Sequence, residues 1–346
     1  MPEDSIDHID FEDLNRRAIS KPVVSHIYTA DPSAHYFNGK IYIYPSHDID
    51  VGEAFDDLGS HFAMKDYHVI SMDAIGSKAV DHGVALHVDD VPWAKQQMWA
   101  PDANEKGGTY YLFFPAKAHD GIFRIGVATS KSPTGPFTAQ PEAIKGSFSI
   151  DPAVFKDDDG SYYMYFGGLW GGQLQRWRTG QFNAAQPESP TAFLPQDHEP
   201  ALLPLVAKMT DDLLAFSEEP KQLEILDEAG DLLLAGDNAR RFFEAAWLHK
   251  HNGKYYFSYS TGDTHFICYA IGDNPYGPFT YKGRILNPVV GWTSHHSVCE
   301  IEGKSYLFYH DASLSKGVTH LRSVKYTEIT YRTDGTIVPI NPYKEK

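Results

Sequence analysis

Short apolar runs alternate with polar positions along the whole chain, and each run is closed by a turn rather than carried on at a helical period. GKIYIYP, TYYLFFP, SYYMYFGG, KYYFSYS and KSYLFYH are dense in tyrosine and phenylalanine and read as strands. Ahead of each lies a second, half-apolar run and a turn ending in Gly39, Gly108, Gly160, Gly253 or Gly303. Each pair is therefore a predicted hairpin. Further strand-like runs, IFRIGVATS and HFICYAIG, lead into the matching phrases SPTGPF and NPYGPF, whose Pro and Gly mark turns.

The hairpins are five copies of one pattern, and each copy opens on a polar residue: Asp31, Asp102, Asp151, Glu244 and His295. The turn glycine follows that head by eight or nine residues in four copies and by six in the second. Five repeats of about four strands predict an all-β, five-bladed β-propeller. The 346 residues are read as one domain, 1–346. Within it, 1–24 form an N-terminal extension that could close the ring against another blade. Residues 191–230, in the longest gap between heads, are expected as an inserted loop region.

In a propeller the first strand of each blade lines the central channel, so equivalent strand heads converge at one end of the axis. Burying carboxylates there calls for partners or a function. Carboxylates in different environments can have pKa values pushed apart, the division of labour that glycosidic bond hydrolysis needs. Glu244 sits in RRFFEAAWLH, an apolar setting that favours a protonated general acid. Asp31, in YTADPSAHY, is the candidate base, and Asp151, in SIDPAVF, a third carboxylate that orients the sugar and tunes the acid. Asp102, in WAPDANEKGG, reads equally as a turn residue or a site residue. His295 could be structural, contact a substrate, or hold an ion completed largely by water. Without further His or a compact Asp cluster a zinc centre is not indicated, and a hard cation such as calcium stays open. Trp93, Trp99, Trp170 and Trp292 lie near the polar heads or in turns, each as suited to the core as to a wall that stacks on sugar rings. GGLWGG lacks the strand and helix context of a phosphate loop and reads as tight-turn or channel-lining backbone.

Charge narrows the partners. The formal net charge is −16 with no basic cluster, which argues against nucleic acid. No apolar run approaches a membrane span. The two cysteines, Cys268 and Cys299, lie in apolar runs and suggest neither a disulfide framework nor a metal knot. The acidic N-terminus lacks a hydrophobic signal core, so the compartment is expected to be cytoplasmic, or extracytoplasmic for a signal-trimmed form. The aromatic content, 14% of residues, leaves an oligomer open.

As a set, TADPSAHYFNGKIYIYPSHD, QQMWAPDANEKGGTYYLFFPAK, SIDPAVFKDDDGSYYMYFGG, RRFFEAAWLHKHNGKYYFSYSTGDTH and PVVGWTSHHSVCEIEGKSYLFYHD resemble glycoside hydrolase family 43. The likeness runs from about Ser25 to Pro342. These are inverting five-bladed propeller hydrolases acting on xylan and arabinan side chains and oligosaccharides. The resemblance implies Asp31 as general base, Asp151 as the orienting, pKa-modulating carboxylate and Glu244 as general acid. It implies His295 as the central histidine, often bound to calcium or another ion, with His296 beside it, and a sugar contact for Arg322 in THLRSVKY. Trp99, Asp102, Trp170, Trp292, His296 and Arg322 are thus expected to line the sugar site, and no cofactor is required for the chemistry. The nearest members are β-xylosidases and α-L-arabinofuranosidases, which implies exo-release of terminal β-D-xylose or α-L-arabinofuranose from xylo- or arabino-oligosaccharides. An endo-acting arabinanase and a non-catalytic carbohydrate-binding propeller are the alternatives. Inversion requires the two catalytic carboxyls to stand about 6.5–9.5 Å apart, with room for a water.

Overall fold

The computed structural model describes residues 8–185 and 190–345. A seven-residue helix, α1 (Phe11–Arg17), comes first, capped by Asp10, whose side chain accepts the N–H of Asp13. Strands follow almost without helical interruption. Blade one holds β1 (Tyr28–Phe37), β2 (Lys40–Asp48), β3 (Asp66–Met72) and β4 (Val80–His87). Blade two holds β5 (Ala94–Gln96), β6 (Asp102–Lys106), β7 (Thr109–Ala118), β8 (Phe123–Ser130) and β9 (Thr138–Ala139). Blade three holds β10 (Ala153–Lys156), β11 (Tyr162–Phe166), β12 (Leu205–Lys208) and β13 (Lys221–Gln222). Blade four joins β14 (Ile225–Leu226) to β15 (Glu244–His251), β16 (Lys254–Ser260), β17 (Ile267–Gly272) and β18 (Phe279–Leu286). Blade five holds β19 (His296–Ile301), β20 (Lys304–Asp311) and β21 (Ser323–Glu328).

The predicted hairpins are the pairs β1–β2, β6–β7, β10–β11, β15–β16 and β19–β20, all antiparallel. Their first strands form the inner ring, each packed on the next in cyclic order, with β19 returning to β1. The aromatic second strands turn their rings into the wedges between blades. Phe113, Tyr165, Phe166, Phe257 and Tyr259 are all buried in the largest cluster, which spans blades two, three and four. At roughly 25 cal/mol per Å² of apolar surface, these wide rings are the main force holding the blades together.

The stretch 191–230 is not the inserted loop expected of it. It supplies β12 and β13, which widen blade three, and β14, which lies parallel to β18 of blade four. Strands this short carry no readable alternation, so hydrophobic pattern alone leaves them looking like loop.

Both chain ends are drawn into the closure of the ring. The segment ahead of β1 and the start of β1 run beside β21, with Val23 N–H donating to the Val324 carbonyl and Thr29 N–H to that of Arg322. Ala18 bridges Tyr343, and Ile340 bridges Leu286 at the end of β18. Leu14 of α1 packs with Val290, Ala312 and Tyr343. The open edges of blades four and five are thereby covered.

Candidate active site

Three strand heads share a backbone device. Asp31 and Asp151 adopt left-handed φ values of 47° and 57°, and Ala245, directly after Glu244, has φ 63°. In β1 and β15 the ladder slips at the same place, between Ala30 and Ser33 and between Glu244 and Trp247. Such bulges re-aim a side chain, and left-handed non-glycine residues cost about 1–3 kcal/mol each. Here the left-handed turns, with bulges at two of the three heads, aim Asp31, Asp151 and Glu244 toward one pocket at the end of the channel.

Asp31 is held as an anion. Its Oδ1 accepts from Arg322 Nη1 at 2.8 Å and its Oδ2 from Ser46 Oγ at 2.7 Å. Burial, the largest single influence, raises its carboxyl, but the Arg322 charge, the neighbouring His310 and His295 and the Ser46 hydrogen bond together outweigh it and bring the pKa down to about 2. Arg322 is itself clamped. Asp48 accepts its Nε and Nη2, both at 2.8 Å, as well as its backbone N–H, while Thr293 Oγ1 accepts a second bond from Nη1 at 3.1 Å. Four of the five guanidinium N–H groups are therefore engaged within the protein. Burial lifts the Asp48 carboxyl above its ordinary value, more than Arg322 lowers it. His310 completes the cradle. Burial and then the Arg322 charge push it down to about 3, so the ring is neutral. Its Nδ1 accepts the Asp31 backbone N–H at 3.0 Å, which leaves the proton on Nε2, 3.1 Å from the Thr293 carbonyl.

Asp151 and Glu244 share the opposite side. Burial, and then each one's negative neighbours, raise both carboxyls. Asp151 accepts the Ala245 N–H at 2.9 Å and lies 3.7 Å from His295 Nε2. Glu244 has no such donor among the described residues. Two buried carboxyls that act on each other electrostatically hold one proton between them, and the one without donors keeps it. Glu244, lifted to about 8 by burial and the Asp31 charge, is thus the protonated member at neutral pH. Both ring nitrogens of His295 are buried without a hydrogen-bond partner among the described residues, in a ring that lines the pocket.

The pocket walls are aromatic. Trp99, Trp170 and Trp292 all line it, with Phe62 and Phe243. Trp170, Trp292 and Phe243 form one cluster, with ring centroids 5.4–5.7 Å apart. Trp99 is fixed by its Nε1 donating to the Phe62 carbonyl at 2.8 Å. GGLWGG closes the wall against the β2–β3 connection: a Cβ on Gly171 would overlap the Leu58 carbonyl, so only glycine permits that approach.

Two expected site residues, Asp102 and His296, lie elsewhere, and Trp93, read as suited to core or wall alike, belongs to the core. Asp102 has no bulge to redirect it. It stays in register opposite Phe113, and its carboxylate accepts from Ser33 Oγ, from His35 Nε2 at 2.8 Å and from the Val154 N–H at 2.5 Å, tying blades one, two and three together. His296 follows His295 in an extended strand and so points the other way. It is buried, with Nε2 2.6 Å from Ser258 Oγ. Trp93 stacks on Phe114 within the blade-two core. Conversely, Asp48 and His310 are site residues that the hairpin pattern passes over. They sit at matching ends of β2 and β20, in Ser46-His47-Asp48 and Tyr309-His310-Asp311, and that repeated His-Asp phrase is the signal that could have found them.

Comparison with known proteins agrees with this geometry. The model of glycosyl hydrolases family 43 matches residues 19–337. A protein of Humicola insolens, xylosidase/arabinosidase 43A, is 60% identical over 328 residues, covering 93% of this chain and 99% of its own. A β-xylosidase of Xylanibacter ruminicola is 54% identical over 312 residues, 90% of this chain and 96% of its own. Among solved structures, a β-xylosidase/α-arabinofuranosidase from a compost microbial metagenome, in complex with xylotriose and calcium-free, superposes with TM-score 0.92 at 64% identity, covering 94% of this chain and 98% of its own. A Xanthomonas citri enzyme complexed with xylotriose gives 0.90 at 54% identity, with 97% of each chain covered. Five blades, three carboxylate strand heads in one aromatic pocket and a match over most of its length place the chain in glycosyl hydrolase family 43.

Proposed function

We infer that this protein is an exo-acting, inverting glycosidase that releases a terminal pentose, β-D-xylose or α-L-arabinofuranose, from xylo- and arabino-oligosaccharides. The observation that carries the reading is the contrast in surroundings across one pocket: Asp31 bonded to Arg322 and Ser46 and held down to about 2, Glu244 buried without a donor among the described residues and lifted to about 8. In the reaction Glu244 gives its proton to the glycosidic oxygen as the C1–O bond breaks. A water on the opposite face of the sugar forms the new C1–O bond and passes its proton to Asp31. Exchange with solvent then returns both carboxyls to their starting states. A carboxylate as acidic as Asp31 is a weak base, so it acts in the transition state, where bonding to an oxocarbenium-like carbon acidifies the water. Asp151, held by the Ala245 N–H, shares the coupled titration of Glu244 and serves to orient the sugar. Trp99, Trp170 and Trp292 supply flat apolar faces for the ring.

Calcium fits one feature of the channel. The nitrogens of His295, buried without a partner among the described residues, need a donor or acceptor, and a hydrated cation beside Asp151 would meet that need. Bound there through water, such an ion would supply positive charge that favours ionised carboxylates. The relatives named as xylosidases and arabinosidases support attack at chain ends. Xylohexaose tests this: early accumulation of xylose with xylopentaose supports it, and a ladder of mid-length products overturns it.

A further inference from the structure

Outside the pocket, blade one carries a second group of polar side chains that the hydrolytic chemistry leaves unused. His47 of β2 stands across the ladder from Asp66 of β3, one step from the Ser46–Tyr67 pair. Asp66 and His68, two residues apart in a strand, share a face. All three side chains are 11–16% exposed, sheltered yet reachable by water. His47 Nδ1 lies 2.6 Å from Asp66 Oδ1, and His68 Nε2 lies 3.9 Å from the same oxygen. One donor atom from each of the three falls within 4.8 Å of the others.

The surroundings set up His68 as a ligand. Its Nδ1 is 2.8 Å from Asp81 Oδ1, so the proton sits on that nitrogen and the Nε2 lone pair is directed toward Asp66. Asp81 is fixed in turn by the Gly83 N–H at 2.8 Å and by His26 Nε2 at 2.8 Å. A carboxylate behind a histidine is the arrangement that orients and strengthens an imidazole ligand. A lone pair and a carboxylate oxygen facing each other at 3.9 Å repel unless a cation lies between them. Ligands about 2.0–2.1 Å from a tetrahedral ion stand roughly 3.3 Å apart. The two measured separations bracket that value, so small side-chain rotations close the site.

We propose that His47, Asp66 and His68 bind one first-row divalent transition-metal ion of the zinc class, with waters completing its shell. Two imidazoles and one carboxylate favour such an ion over calcium or magnesium, which prefer all-oxygen sites. The ion would pin β2 to β3 on the face opposite Ser46 and Asp48, which hold Asp31 and Arg322.

Zinc titration of chelator-treated, dialysed protein by isothermal calorimetry tests the site. Wild type should show one site that His47→Ala and His68→Ala each weaken at least 100-fold, that Asp81→Asn weakens 10–100-fold, and that His295→Ala leaves intact. Millimolar calcium should not displace the zinc. Titrations of His47→Ala and His68→Ala that match wild type, or loss of the site in His295→Ala, overturn the proposal. Should the blade-one variants not fold, wild-type crystals soaked in zinc decide it. An anomalous peak bonded to His47, Asp66 and His68 supports the site, and its absence there refutes it.

Discussion

Replacing Asp48 by Asn probes the site where the hairpin pattern was silent. The substitution keeps the shape of the side chain and removes the charge that clamps Arg322 through Nε, Nη2 and the backbone N–H. Breaking a buried ion pair from one side costs about 3–5 kcal/mol. Here Arg322 keeps Asp31 and Thr293 as partners, so a smaller loss, about 2–3 kcal/mol of stability, is expected. The kinetic effect has a separate origin. Once one carboxylate of its clamp is neutral, the guanidinium leans toward Asp31, makes that carboxylate a still weaker base, and displaces it from the attacking water. Misplacement by about 1 Å costs on the order of 10²-fold, equivalent to about 2.7 kcal/mol of transition-state stabilisation. The loss should fall on kcat rather than KM, because Asp48 does not line the pocket. Steady-state kinetics on xylobiose, paired with urea unfolding, give both numbers. A variant that loses stability but keeps kcat within threefold of wild type would refute the positioning role.

Glu244→Gln should abolish pentose release by about 10³-fold or more and yet stabilise the fold in mild alkali. Because the folded pKa of Glu244 is raised to about 8, native stability is lost as pH rises from its unfolded value toward 8. The variant should therefore gain about 1–2 kcal/mol near pH 8 and nothing near pH 4, read by thermal melts at the two pH values. In Asp151→Asn the competing charge is gone and Glu244 ionises more easily. The alkaline limb of kcat/KM should then move roughly one unit below its wild-type position near 8, whereas an unmoved limb would separate the two carboxyls. Gly171→Ala should force GGLWGG away from Leu58 and lower kcat/KM about tenfold with a destabilisation of about 1–3 kcal/mol, and wild-type kinetics in that variant would show that the wall is not set by this contact.

Much of the fold was legible because a propeller repeats itself. The five hairpins, their glycine turns and their polar heads stand in register, and that register brings Asp31, Asp151, Glu244 and His295 to one channel end. Register alone was not enough to choose among the heads. What separates Asp31 and Asp151 from Asp102 is the left-handed backbone and the following proline, Pro32 or Pro152, which take the side chain out of the ladder. Asp102 precedes alanine and stays paired. Strand alternation, applied one residue at a time, would have sent His296 away from the pocket that His295 faces. Asp48 and His310 act from the second strands through Arg322 and the Asp31 backbone, a relation between blades that no local pattern encodes. The strands of 191–230 are two to four residues long and are fixed by their neighbours rather than by their own sequence.

The central claim is that Asp31 activates a water while Glu244 protonates the leaving oxygen from the other side of the sugar. Proton NMR of xylobiose hydrolysis, followed from the first minutes before mutarotation, reads this most directly. Turnover by the proposed pair predicts that the xylose released from a β-linkage first appears as the α-anomer and only later equilibrates. First appearance of the β-anomer would mean retention through a covalent intermediate, and would contradict the assignment of Asp31 as a base.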